Sequence, residues 1–130
     1  MSIVRLVSLI LGLGMYGGLT TSAATLVAQA ESSCSSAMTT AAMRSCENAR
    51  YEKAQKDLEA TYGAVLKKLD STGQAKLRAA QTAWLRFRQA NADYAADAAR
   101  GGTLAPLIQI TVLADMTEAR AAELKKSLKQ

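Results

Sequence analysis

Apolar side chains recur every three or four positions along most of this chain, which is the spacing of α-helices. In the first such stretch, Thr39 or Thr40 can cap the N-terminus, and the periodic positions continue to Leu69. The run Asp70-Ser71-Thr72-Gly73 interrupts the pattern and offers a cap for a second helix, predicted from about residue 74 to residue 99. Two long helices with a short connection are expected to form an antiparallel hairpin.

A third helix is predicted after the pair Gly101-Gly102, which can supply a left-handed C-cap to the second helix. Thr103 can cap the third helix, and Pro106 is tolerated in a first helical turn. The apolar positions expected to be buried on it are Leu107, Ile110, Leu113, Met116, Leu124 and Leu128. We therefore predict an all-α fold, an antiparallel helical hairpin plus a third helix.

The second predicted helix carries polar side chains along a stripe where a core is usually apolar. The stripe consists of Leu77, Gln81, Trp84, Arg88 and Asn91. Phe87 and Tyr94 lie seven positions apart on a neighbouring stripe. Because the chain is poor in aromatic residues, we expect most of its rings to belong to the core.

Two interpretations of this polar stripe remain open. Buried polar groups need partners, and Thr117 and Arg120 of the third helix can supply them. In the first interpretation the helices share a polar network, in which Arg88 and Arg120 pair with carboxylates such as those of Glu47, Glu59 or Glu123. In the second, the two arginines and nearby aromatic rings form a binding surface.

The first 30 residues have the organisation of a secretory signal peptide. Arg5 supplies a positive charge, residues 6–13 are strongly apolar, and Ala28-Gln29-Ala30 forms an Ala-x-Ala cleavage site. An uncleaved membrane anchor is the alternative, because residues 6–30 carry no charge. We predict cleavage, a mature domain of residues 31–130, export to the periplasm or secretion, and no stable membrane insertion afterwards.

Composition excludes most kinds of catalytic and metal site. The chain has no His and 2 Cys, which rules out a Ser-His-Asp triad, a Cys-His dyad, a His-containing zinc site and a four-sulfur site within it. The formal net charge is +5, but export argues against nucleic acid as a partner. We expect a protein that is not an enzyme and that binds no cofactor, no metal ion and no nucleic acid.

The two cysteines are Cys34 and Cys46. On one straight helix they would be about 18 Å apart, which is beyond disulfide reach, so a bridge requires the chain to turn between them. In an exported protein with two cysteines a disulfide is the expected state. It would join the N-terminal segment to the first helix. A catalytic thiol is the alternative, although neither a His nor a Cys-x-x-Cys spacing is present.

One run in the second helix resembles the AQxxWLxFR motif of the LprI-type lysozyme-inhibitor family, namely Ala80-Gln81-Thr82-Ala83-Trp84-Leu85-Arg86-Phe87-Arg88. Four further motifs are similar to that family in order and spacing: Cys34-x11-Cys46, Leu58-x3-Tyr62, Gly101-Gly102-Thr103 and Met116-Thr117-x2-Arg120. The resemblance covers about residues 34–128. It implies a structural or binding role for Gln81, Trp84, Phe87, Arg88, Thr117 and Arg120.

The chain departs from the family at two further cysteines, which are replaced by Ala92 and Val112. Their joint absence is expected if these two cysteines pair with each other in the family. The departure therefore supports pairing of the retained Cys34 with Cys46.

The resemblance implies an exported helical protein that binds lysozyme or another muramidase and inhibits it. One alternative is an immunity protein that protects the periplasm from a cell-wall-degrading effector. Another is a structural envelope protein that contacts anionic cell-wall polymer. Candidate partner-binding residues lie around the connection between the second and third helices, where the simpler interpretation is a helix C-cap: Tyr94, Arg100, Gly101, Gly102 and Thr103.

Overall fold

The structure is a computed structural model that describes Cys34 and residues 36–129, so the predicted signal peptide lies outside the described residues. Within them the chain forms three helices and no β-strand: α1 (Thr40–Lys68), α2 (Ser71–Asp97) and α3 (Ala105–Ser127). The predicted all-α class, a hairpin with a third helix, is confirmed. None of the described helices combines the length and the apolar character needed to cross a membrane.

Side-chain caps fix where α1 and α2 begin. The Oγ1 atom of Thr39 accepts a hydrogen bond from the backbone N–H of Ala42 at 3.1 Å, as expected for a helix N-cap. Asp70 caps α2 by accepting a bond from the N–H of Gly73 at 2.7 Å. The second helix therefore starts at Ser71 and not near residue 74. A Cβ atom on Gly73 would lie 3.1 Å from the Asp70 Oδ1 atom, so glycine leaves room for this cap.

The connection between α2 and α3 differs from the predicted one. Gly101 has the expected positive φ, 78°, but two tight turns separate it from the last residue of α2. The prediction that Thr103 caps α3 is wrong, because the N-cap is Leu104, which makes no side-chain capping bond. A cap at Thr103 would have Pro106 at the third helical position, and proline has no N–H to donate.

The helices run up, down and up. Arg50 of α1 contacts Asp115 of α3, and the Lys68 Nζ atom near the end of α1 donates to the carbonyl of Leu128 at 2.6 Å. These contacts place α1 and α3 parallel, whereas α2 is antiparallel to both. The most extensive packing is between α1 and α3, and α1 and α2 approach each other least. Buried Ala54 and Ala121 flank the α1–α3 groove, where their small side chains allow close approach.

The core is concentrated towards the C-terminal ends of α1 and α3. Its buried members are Leu58, Val65, Ala121 and Leu124, and they contact Tyr62, Leu69, Leu77, Trp84 and Leu128. Of the apolar residues predicted to be buried on α3, Leu124 alone is fully so. The other five, Leu107, Ile110, Leu113, Met116 and Leu128, are only half-buried, because a bundle this narrow leaves part of each side chain open to solvent.

The predicted disulfide is present. It joins Cys34 to Cys46, whose Cα atoms lie 5.4 Å apart. A turn makes this possible, with the N–H of Ala37 donating to the carbonyl of Cys34 at 3.3 Å before α1 begins. The bridge attaches the segment before α1 to the second turn of that helix.

Candidate functional site

Arg88 joins all three helices from the interior of the bundle. It is 7% exposed, and its Nη1 atom donates to the Gln55 Oε1 atom of α1 and to the Thr117 Oγ1 atom of α3, both at 2.9 Å. Thr117 is completely buried and itself donates to the carbonyl of Leu113 at 2.6 Å. This arrangement is the polar network of the first interpretation.

Aromatic rings flank the guanidinium of Arg88. Its Cζ atom lies 5.4 Å from the centre of the Tyr51 ring and 5.1 Å from that of Trp84. Arg120 approaches the same Trp84 ring at 5.9 Å. At these distances a cation is attracted to the ring face. The rings therefore supply the negative potential that a buried cation needs.

The two network arginines differ in their charged partners. Arg120 pairs with Glu123 at 2.8 Å and donates from Nε to the Gln81 Oε1 atom at 3.2 Å, so the predicted carboxylate partner of Arg120 is confirmed. The corresponding prediction for Arg88 is wrong: among the described residues it contacts no carboxylate, and its buried Nε atom has no hydrogen-bond partner there. Gln55 and Thr117 occupy the positions facing its guanidinium.

We predict that Arg88→Met retains most of the stability that Arg88→Ala loses. Methionine fills the space between the two rings and removes a buried charge that lacks an anionic partner, so the free energy of unfolding should stay within about 1 kcal/mol of the parent value. Alanine leaves a cavity and should cost about 2 kcal/mol. Urea unfolding of both variants, followed by circular dichroism, measures the difference. Equal losses in both variants would mean that the hydrogen bonds of the guanidinium dominate.

A second ion-pair network, which the sequence patterns did not predict, lies on the α1–α3 face. Arg50 pairs with Glu47 at 3.0 Å, with Glu118 at 2.6 Å and with Asp115. Hydrogen bonding to Glu118, and then to Asp115, raises the pKa of the Arg50 guanidinium above its already high usual value. Three carboxylates around one guanidinium give this face a local excess of negative charge in a basic chain.

The candidate partner-binding residues lie at the end of the bundle formed by the α2–α3 connection. Tyr94 is 81% exposed, and Gly101, Gly102 and Thr103 are exposed. Arg100 pairs with Asp97 at 2.6 Å, and this hydrogen bond raises the pKa of the arginine. An open depression of about 540 Å³ separates this connection from the start of α1, and its lining includes Thr40, Ala41, Arg44, Thr103 and Pro106.

The family-motif residues therefore fall into two groups. Five of them meet inside the bundle: Gln81, Trp84, Arg88, Thr117 and Arg120. Phe87 is apart from them and 59% exposed, although it is only three positions from Trp84. The expectation that most rings belong to the core holds only in part: Tyr62 and Trp84 pack against the core, Tyr51 is half-buried beside Arg88, and Phe87 and Tyr94 are exposed. Among the described residues, no cluster of three or more acidic, Cys or His side chains is suited to a metal ion.

Comparison with known proteins assigns the chain to a family. The sequence profile of the family described as "Lysozyme inhibitor LprI" matches residues 30–124. The chain belongs to this family. An uncharacterized protein of Rhizobium meliloti is 29% identical over 111 residues, which cover 75% of this chain and 80% of the relative. No solved structure matches the chain. The LprI match includes both cysteines, the interior network and the α2–α3 connection.

Proposed function

We propose that this protein acts outside the cytoplasm by binding a muramidase or a related peptidoglycan hydrolase, and that it inhibits the enzyme as a stoichiometric complex. The observation that carries the proposal is the match to the lysozyme-inhibitor family along residues 30–124. The Cys34–Cys46 disulfide agrees with an exported protein, since such bonds persist in the periplasm and outside the cell.

The α2–α3 connection is the contact surface that we propose for the target enzyme. It consists of Arg100, Gly101, Gly102, Thr103 and Leu104. All five residues are exposed, and half of the Leu104 surface is open to solvent. Arginine is one of the residue types enriched in interface hot spots, and Leu104 adds exposed apolar surface to the same connection. Since rigid helices hold both ends of the connection, little conformational entropy is lost on binding.

The net charge of the mature chain affects which muramidases it can bind. Removal of Arg5 with the signal peptide would leave a net charge of +4, which repels a strongly basic lysozyme at long range. The carboxylates around Arg50 offer an acidic region on another face of the molecule. Inhibition of a basic enzyme through that face would weaken as salt is added, whereas inhibition of a less basic muramidase would not.

The decisive measurement is a titration of muramidase activity with the purified, oxidised protein at two salt concentrations. Animal c-type and g-type lysozymes and a bacterial muramidase serve as targets. We expect stoichiometric loss of activity for at least one of them, a rise of about tenfold or more in the inhibition constant for Arg100→Ala, and a smaller rise for Leu104→Ala. Arg78→Ala, an arginine near the other end of α2, is the matched control and should leave the constant unchanged.

Two other outcomes would assign a different function, and a third would assign a different contact surface. Inhibition confined to a single effector enzyme, with no effect on animal lysozymes, would favour the immunity protein. Absence of inhibition together with salt-sensitive sedimentation on isolated cell wall would favour the envelope component. Inhibition that none of these substitutions alters would retain the function and move the contact surface elsewhere.

A further inference from the structure

An apolar face of α2 is open to solvent along more than three helical turns. It is formed by Ala80, Ala83, Phe87, Ala90 and Tyr94. All five are exposed, and Phe87 and Tyr94, at 59% and 81%, are two of the large apolar side chains that the described part of the chain leaves exposed. Extended exposed apolar patches on a soluble protein commonly mark interaction sites. This surface, which we call the α2 outer face, points away from the polar network around Arg88.

The spacing within the α2 outer face is that of a helix–helix seam. Successive members are three, four, three and four positions apart, which keeps them in line along a helix that packs against a second helix. A broader apolar stripe would be expected if the face covered a globular core. The narrow seam therefore matches one partner helix.

We propose that the α2 outer face is the contact between two copies of this chain, with the two α2 helices packed antiparallel around a two-fold axis. Size complementarity supports this occupant. When Phe87 lies opposite Ala90 of the second copy, Ala83 lies opposite its Tyr94. Each large ring then faces an alanine, and the two-fold axis repeats both contacts. Alternation of large and small side chains across facing positions is how helices interdigitate without voids.

Charge complementarity selects the same alignment. Arg86 and Asp93 each immediately precede an aromatic residue of the seam, so they lie along one edge of it. The antiparallel alignment brings Arg86 close to Asp93 of the second copy, twice per dimer. Among the described residues of one copy, Asp93 accepts hydrogen bonds only from the uncharged amides of Gln89 and Gln109. Among the described residues Arg86 makes no ion pair. A parallel pair would place Arg86 near Asn91, where no charge is neutralised.

The contact is small, so the dimer should be reversible. The seam contains four central layers of side chains. The area that they bury should be less than the ~800 Å² per partner of a standard interface. We therefore expect a monomer at low protein concentration and a dimer at high concentration. The dimer does not rest on the proposed enzyme target, and its test needs no muramidase.

Sedimentation velocity of the purified, oxidised protein over a wide range of concentrations measures this equilibrium. We expect Phe87→Lys to weaken the dimer about a hundredfold or more, because each dimer loses two aromatic contacts and gains two buried charges. Leu85→Lys is the matched control. It changes an apolar residue, 41% exposed, on a different side of α2 beside α1, and should leave the dimer intact.

Charge exchange tests the alignment. Arg86→Asp leaves acidic groups at both edge positions, and Asp93→Arg leaves basic groups at both, so each variant alone should dimerise about tenfold more weakly. Mixing the two variants brings an acidic edge against a basic one, and the heterodimer should form in preference to either homodimer. Melting temperatures show whether each variant remains folded. A parent protein that is monomeric at every concentration, a dimer that survives Phe87→Lys, or a mixture without heterodimer preference would each overturn the proposal.

Discussion

Replacement of Trp84 by alanine should lower the free energy of unfolding by about 3 kcal/mol, near the lower end of the range for buried aromatic residues. The indole packs on the core formed by Leu58, Val65, Ala121 and Leu124. Its ring also contacts the guanidinium groups of Arg88 and Arg120. Truncation therefore removes apolar contacts and exposes two cations to a cavity. Because Trp84 is half-buried and not fully enclosed, the loss should stay near the lower end of that range.

Phe87→Ala is the matched control for Trp84→Ala. It removes a ring from the same helix three positions away, but that ring is 59% exposed, so it should cost less than about 1 kcal/mol in the monomer. Trp84 is the single tryptophan of the chain, and unfolding in urea is therefore followed by helical circular dichroism, at concentrations below those of the proposed dimer. If Trp84→Ala were as stable as the control and lost target binding, the polar stripe of α2 would be a binding surface.

The helices were predictable because their determinants are local in the sequence. Periodic apolar positions and the cap at Thr39 act within a few residues of each other, and the structure places α1 where they indicate. The start of α2 was misjudged because Gly73 is a poor helix former on average. In this chain its backbone N–H bonds the carboxylate of Asp70, and this cap outweighs the cost of a glycine in the first turn.

The burial of the aromatic residues was less predictable than the helices. Trp84, Phe87 and Tyr94 lie within eleven positions on one helix, and hydrophobicity alone sends all three inward. The structure buries only the side of α2 that carries Gln81, Arg88 and Ala92. Two long polar side chains, Gln81 and Arg88, fill part of the space where α2 meets α1 and α3, beside the apolar Leu77 and Trp84 that pack against the core. The regular seam spacing from Ala80 to Tyr94 was the available indication of a second apolar face.

The charged contacts depend on tertiary structure in a way that short-range patterns do not show. Arg50 and Glu47 are three positions apart, a spacing that sequence can recognise. The other partners of Arg50 are Asp115 and Glu118 on α3, and only the parallel packing of α1 and α3 brings them together. The interior network was foreseeable from its composition, since buried polar groups must find partners. The composition did not indicate that Arg88 would face an amide and a hydroxyl and no carboxylate.

Loss of the disulfide should have a comparable effect on stability. Cys34→Ser and Cys46→Ser should each lower the free energy of unfolding by about 3 kcal/mol, since each opens the same short loop and frees the unfolded chain. The double variant should lose about as much as the less stable of the two single variants and far less than the sum of both losses, because the bond can be removed only once. Urea unfolding of the three variants and of the parent protein measures these losses. Titration of denatured, unreduced parent protein should find no reactive thiol.

The two single variants also separate the contribution of the bond from that of packing. Cys34 is 7% exposed, whereas Cys46 is half-buried, so a hydroxyl is less well accommodated at position 34. A modestly larger loss for Cys34→Ser would reflect this difference in burial and not the closed loop. Reduction of the parent protein opens the loop without changing either side chain, and should reproduce the loss common to both variants. A reduced protein as stable as the oxidised one would show that the bond contributes little and that burial of Cys34 alone anchors the segment before α1.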